Sequence, residues 1–392
     1  MSVAVAHTVA AQTAGDAPPE GALRAGPLYL TPWLDIPQFG VDSNVFNEAV
    51  DPDSDFTAQI QPQVQGWLRM GRARVSFGQL ANLMYFQTFA SERAVNTTST
   101  VRVDVPLARV TLYGGAGFVR TKDRGGPEVD VRARSIRQPL NGGVTVALTR
   151  KTVVDVGADF DEMSFEEGAR FGTASLRQQL TRSTESYHVT LKHAITTLSS
   201  VWLTVRQEAS RFEFSPLRDN TTLRVAPSLQ FRPNALLSGS AEVGYLRLEP
   251  GDPTIRDFAG PVARVDLSYV LRGATQFSVQ ANRDLVPSAA EAETYFLQTG
   301  FGGSVTHRVT ERWDVQAGAT RLRLTYGSSG RAASTTIRPA ETIASTMVGG
   351  GFHFSKRLRV GFQGQFLLRD TGVIDRTYEN TRLMGSLSYR FR

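Results

Sequence analysis

The 392-residue chain contains no cysteine. That excludes disulfides, a thiolate metal site, a cysteine nucleophile and a lipid anchor on an N-terminal cysteine. It also lacks any run near the roughly 18 apolar residues that a membrane-spanning helix requires. Hydrophobic residues nevertheless make up 41% of it and charged residues 20%. A net charge of +6 comes without a basic helix or a clustered basic stretch. The arginines are spread along strand-like segments, so the excess does not indicate nucleic-acid binding. Histidine is scarce: His7, His188, His193, His307 and His353 are all there is. None has HExxH spacing or an i, i+4 partner on a helix, and His188 and His193 fall on opposite phases of one strand, so no metal site is expected. With no nucleophile motif beside them, no enzyme activity and no cofactor are expected either.

What the chain does have is alternation. Eighteen segments show period-two patterning, near 28–40, 56–69, 72–86, 95–106, 108–120, 134–149, 152–163, 183–195 and 200–212, and then near 221–232, 235–248, 260–271, 274–284, 292–308, 312–326, 341–354, 357–370 and 379–391. In 221–232, Leu223, Val225, Leu229 and Phe231 lie on one face and Arg224, Ser228, Gln230 and Arg232 on the other. In 260–271, Val265, Leu267, Tyr269 and Leu271 oppose Arg264, Asp266 and Ser268. A soluble sandwich can produce such faces a few times. A closed barrel in lipid must produce them on nearly every strand, because a charge facing lipid at mid-membrane costs about 2–4 kcal/mol. Segment 312–326 changes phase after Ala319, which predicts either a bulge or a strand that rises above the membrane.

Eight short connections, such as Met70-Gly71, Pro106-Leu107, Pro233-Asn234 and Arg272-Gly273, alternate strictly with nine longer ones, such as 41–55, 164–182 and 327–340. Short periplasmic turns and long outer loops are the pattern of bacterial outer-membrane barrels. The expected fold is therefore all-β: a transmembrane antiparallel β-barrel of about 18 strands (16–18) over residues 27–392, with both termini periplasmic. Residues 1–26, rich in Ala, Gly and Pro, are expected to be a processed or disordered leader, although no Lys or Arg precedes Arg24 as a standard signal peptide would have. Tyr29, Trp33, Trp67, Tyr85, Trp202, Tyr245, Trp313, Tyr326 and Tyr389 lie near strand ends and are expected to form interfacial girdles.

On this register the polar phase points into the lumen. It carries Arg69, Arg74, Arg102, Lys192, Arg206, Arg224, Arg264, Arg359, Gln363, Gln365, Arg369 and Arg382, with Glu208, Glu242, Asp266 and Asp284 among them. Such cations either favour anions in a pore or are paired structural wall residues. Asp51-Pro52-Asp53-Ser54-Asp55 has calcium-like spacing, but Phe56 and Pro62 stand where a calcium loop needs Gly and Glu, so a solvated acidic loop is expected. Gly114-Gly115-Ala116-Gly117 and Gly349-Gly350-Gly351 lie inside strands and predict space for bulky neighbours rather than phosphate loops.

The terminal Tyr389-Arg390-Phe391 resembles the C-terminal signal read by the outer-membrane barrel assembly machinery, except that Arg392 follows the aromatic. A wider set of pieces is similar to the putative β-barrel porin 2 family: Gly40-Val41-Asp42-Ser43-Asn44-Val45-Phe46, Leu180-Thr181-Arg182, and the run Arg211-Phe212-Glu213-Phe214-Ser215-Pro216-Leu217-Arg218-Asp219. Phe231-Arg232-Pro233-Asn234-Ala235, Ala274-Thr275 with Arg283-Asp284, and Thr377-Tyr378-Glu379 complete the set. The resemblance implies the bacterial outer membrane, contact with its lipid and lipopolysaccharide, and passage of exopolysaccharide or capsule with periplasmic export partners. The alternatives are a general diffusion porin for small solutes and a plugged structural or receptor barrel.

Overall fold

A computed structural model describes residues 22–233, 235–291, 293–326, 339–372 and 376–391. The expected strands are present, with ends displaced by no more than four residues. The first nine are β1 (Leu28–Asp42), β2 (Asp55–Met70), β3 (Ala73–Phe86), β4 (Ala94–Pro106), β5 (Val110–Arg124), β6 (Arg132–Ala147), β7 (Thr152–Phe165), β8 (Arg182–Ala194) and β9 (Ser199–Phe212). The second nine are β10 (Asn220–Phe231), β11 (Leu237–Pro250), β12 (Phe258–Leu271), β13 (Thr275–Pro287), β14 (Tyr295–Arg308), β15 (Trp313–Tyr326), β16 (Glu341–His353), β17 (Leu358–Asp370) and β18 (Tyr378–Arg390).

Each strand pairs antiparallel with the next, and β18 returns to pair with β1 from Trp33↔Arg390 to Asp42↔Arg382. Closure leaves no unpaired edge, which a lipid environment demands of any sheet that spans it. β1 carries a register shift against both neighbours, between Ile36 and Phe39 at the seam with β18 and between Asp35 and Gln38 against β2, where Pro37 lacks the N–H that a ladder needs. Of the expected leader, residues 1–21 lie outside the described residues; Leu23–Ala25 folds back to pair with Leu28–Leu30.

Pairing fixes the faces. On β8, Tyr187, Val189 and Leu191 are exposed outward while Ser186, His188, Thr190 and Lys192 turn inward. No membrane-length helix exists among the described residues; the chain crosses with strands. β15 settles the phase change of segment 312–326. It pairs with β14 and β16 without a register break, so there is no bulge. Its upper half rises above the apolar band, where polarity inverts: Arg321 and Arg323 face out and Leu322, Leu324 and Tyr326 face in. The inversion recurs at the tops of β7 and β11, with Phe165, Leu246 and Leu248 buried inside.

The aromatic girdle is thinner than expected. Tyr85, Tyr245 and Trp313 are exposed outward, and Tyr389 shares their face. Tyr29, Trp33, Trp67, Trp202 and Tyr326 sit on the inward register instead, where Tyr29 packs edge-on against Trp67 and Trp202 lies under Lys192. Strand-end position is readable from sequence, but a one-residue bulge, as in β1, or an inverted rim, as at Tyr326, changes which face an aromatic occupies.

Candidate functional site

The inward register brings the expected lumen residues onto one surface, and acids neutralise most of its cations. Arg102 makes a bidentate contact with Asp104 at 2.8–3.0 Å and stacks on Tyr113. Arg206 lies 3.1 Å from Asp159, and Lys192 lies 3.6 Å from Asp155. Arg224 donates to Asp284 at 2.6 Å, Arg359 to Asp314 at 2.6 Å, and Arg382 lies 2.8 Å from Asp42. Arg74 stands opposite Asp104 across the ladder, and Arg264 opposite Glu242. Arg69 is exposed at the lower rim, donating to the Gly71 carbonyl. The charges form a wall of ion pairs rather than a ring of free cations.

His188 belongs to that wall, its ring between Asp155 at 3.0 Å and Asp159 at 3.4 Å. The strand glycines make room for such groups. A Cβ on Gly351 would meet the Arg359 guanidinium, and Cβ atoms on Gly143 or Gly157 would collide with the Tyr113 hydroxyl. Among the described residues no cluster of three His, Cys, Asp or Glu could hold a metal.

A stretch of the wall bears no charge pairs. Gln38, Ser278, Gln280, Ser304, Thr320, Ser345, Gln363 and Gln365, with Asp266 and Met347, line a cavity of about 320 Å³. Gln365 donates to Ser345 at 2.9 Å, and Gln363 faces Gln316. Nearer the periplasmic end, Arg359, His353, Asp314, Gln316 and Gln276 line a second cavity of about 380 Å³.

The outer mouth holds what alternation could not reveal. The loop between β5 and β6 crosses to the opposite wall. There the Glu128 carboxylate accepts from the Ser288 hydroxyl at 2.8 Å and the Ala289 N–H at 2.7 Å. Asp130 pairs with Arg369 of β17 at 2.6 Å and with Arg376 at 3.4 Å. Glu341 of β16 accepts from the same two arginines. Arg369, only 1% exposed, thus joins β16, β17 and the crossing loop.

Val129, Ala133, Phe165, Leu176, Leu180 and Ala289 pack into an apolar core beneath these contacts, and the short helix α1 (Leu176–Leu180) supplies two of them. Arg218 closes the assembly, donating to the carbonyls of Ser288 at 2.7 Å and Glu293 at 2.6 Å and to Gln179 of a third loop. Burial pushes its guanidinium down to about 10, opposed by Glu128, so it stays charged at neutral pH. The β5–β6, β7–β8, β9–β10 and β13–β14 loops, from distant strands, therefore form a strut across the mouth.

Of the sequence pieces quoted above, those at 40–46, 180–182, 211–219 and 377–379 build this end. Asn44 donates to the Glu48 and Glu379 carbonyls and accepts from the Glu48 N–H, tying the first loop to β18. Asp219 accepts from the Phe212 N–H at 2.7 Å and so sets the turn that aims Arg218. Asp55 is not a solvated loop acid: it is buried and accepts from the N–H groups of Thr88 and Phe89, while Asp51 and Asp53 stay exposed. Much of the loop expected at 327–340 lies outside the described residues.

A closed 18-strand barrel with a lipid-facing apolar skin and a wet interior defines an outer-membrane, porin-like channel protein. The model of one such family, putative beta-barrel porin 2, matches residues 19–391. The chain belongs to that family, and its place is the bacterial outer membrane. Among solved structures it is similar to the outer membrane protein OpdK of Pseudomonas aeruginosa, with 10% identity, TM-score 0.49, and 92% of this chain and 99% of that one covered. It is also similar to OccK11 (OpdR) of Pseudomonas aeruginosa, with 11% identity, TM-score 0.48 and coverages of 93% and 96%. A bacterial polysaccharide outer membrane secretin matches with 9% identity, TM-score 0.37 and coverages of 93% and 98%. These likenesses are of fold alone. No curated protein matches the chain.

Proposed function

We propose that the protein is a passive, non-enzymatic conduit for a saccharide cargo across the outer membrane, narrowed at its outer mouth by the loop strut. The observation that carries this reading is the polar wall around Gln38, Gln280, Thr320, Ser345, Gln363 and Gln365, in which Asp266 is the one charged side chain. Amides and hydroxyls both donate and accept, which suits the mixed hydroxyls of a sugar. Ion pairing removes most of the basic excess, so anionic cargo has little advantage over neutral cargo. Export of exopolysaccharide or capsule, with periplasmic export proteins as partners, is the form that the family resemblance supports, and the barrel assembly machinery would read Tyr389 and Phe391. Passage of a polymer requires the strut to undock.

Diffusion of small solutes is the second reading, favoured by the strut itself, which leaves less room for a chain than for a single sugar. A strain deleted for the gene, paired with swelling of liposomes holding the purified barrel, separates the two. Lost surface polysaccharide together with slow small-sugar uptake supports export. Intact surface polysaccharide together with fast swelling in small sugars rejects export and supports diffusion.

A further inference from the structure

The outward face of β13–β15 carries a group of cations that the lumen reading does not use. Arg283, Thr299 and Arg323 stand opposite one another across three adjacent strands, and Arg321 lies two residues below Arg323 on the same face. Arg321 and Arg323 are exposed; Arg283 is half-buried, held by the Pro261 carbonyl at 3.1 Å and the Thr299 hydroxyl at 3.3 Å. None of the three has an acidic partner among the described residues. Elsewhere on the outer rim, outward Arg134 pairs with Glu166, and Arg247 with Glu249 and Asp257, while Arg120 and Arg211 are exposed outward on β5 and β9 with no ion pair among the described residues. Asp370, on the same face two strands from Arg323, accepts from the Gly372 N–H.

Their height is what gives the cluster a partner. Below Arg321 the outward residues of β15 are Ala319, Ala317, Val315 and Trp313, an unbroken apolar strip that ends in an aromatic. At about 3.4 Å per residue and a tilt of about 40°, Arg323 stands ~26 Å above Trp313 and Arg321 ~21 Å. The apolar band of an outer-membrane barrel is ~25 Å tall. With Trp313 at the periplasmic interface, Arg323 is level with the headgroups of the outer leaflet, and Arg321, ~4 Å below the top of the apolar band, reaches them along its flexible side chain. The spacings are ~10 Å across the row and ~7 Å along β15, enough to engage a headgroup carrying more than one phosphate, and guanidinium forks match phosphate oxygens well.

We infer that Arg283, Arg321 and Arg323 form a binding site for the phosphates of a lipid A-type glycolipid of the outer leaflet, which fixes that lipid against β13–β15. The test is native mass spectrometry of the barrel purified in mild detergent and offered diphosphoryl lipid A, its dephosphorylated form, or inorganic phosphate. Wild type should retain diphosphoryl lipid A at least about tenfold better than R283Q/R321Q/R323Q. A triple Lys variant should keep most of that retention, and R134Q should keep all of it. All three sites face outward, and heat-modifiable gel mobility confirms that each variant is folded. Equal retention by wild type and the Gln variant would overturn the inference. So would equal retention of the dephosphorylated lipid, or an adduct of inorganic phosphate with no lipid retained.

Discussion

Replacing Arg369 with methionine should release the strut while sparing the barrel wall. The side chain is 1% exposed and donates to Asp130 and Glu341, and its Nη2 also reaches the Glu128 carbonyl at 3.3 Å. Methionine fills similar volume without charge. Removing one partner of a buried ion pair costs about 3–5 kcal/mol, chiefly because the other charge is left without compensation. Arg376 still faces Glu341 at 2.7 Å and Asp130 at 3.4 Å, so the lower end, about 3 kcal/mol, applies. That shifts the ratio of docked to undocked loop by about a hundredfold. The β16–β17 ladder holds through backbone bonds that the substitution does not touch. In planar bilayers, R369M should show larger and more frequent conducting events than wild type, and its liposomes should swell faster in trisaccharide. Unchanged conductance from a correctly folded R369M would refute the strut as the element limiting the mouth.

Arg218→Ala should act in the same direction, because it leaves the Ser288 and Glu293 carbonyls unbonded and frees the turn between β13 and β14; protease sensitivity of that turn, with the barrel intact, reports it. Asp314→Asn removes the acid held by Arg359 at the periplasmic end and should move the reversal potential in a salt gradient toward anions, by about twofold in permeability ratio. Gly40→Ala drives a Cβ into the Leu383 carbonyl across the β1–β18 seam, so its heat-modifiability transition should fall, reflecting about 1–3 kcal/mol of overpacking. Deleting residues 391–392 should lower the yield of folded barrel in the outer membrane more than it lowers refolding in detergent, since Phe391 contributes only a ring contact with Tyr389 to the structure.

The wall was legible because lipid on one side and water on the other impose the same constraint on every strand. Leu223 and Arg224, or Val265 and Arg264, declare their faces without help from the rest of the chain. Arg102 and Asp104 lie two residues apart on one face of one strand, so their pairing needs no register; Arg359 and Asp314 need the register of three strands. The strut was hidden for a stronger reason. Glu128 and Asp130 follow Gly125-Gly126-Pro127 in a connection between strands, and their partners lie 160 to 248 residues away. Arg218 stood inside a recognised motif, but nothing local says that its fork would collect carbonyls from another loop. β15 shows the remaining limit: an inverted rim gives the same alternation as a bulge, and only unbroken pairing separates them.

The central claim, a wet conduit whose wall suits uncharged sugars and whose mouth is narrowed by loops, is tested most directly by swelling of liposomes that hold either wild type or R369M, in neutral mono- to trisaccharides and in matched anionic sugars. The account predicts uptake of neutral and anionic sugars at similar rates, with the variant faster and the gain greatest for the trisaccharide. Barrels that are folded yet impermeable to every sugar in both proteins would contradict it.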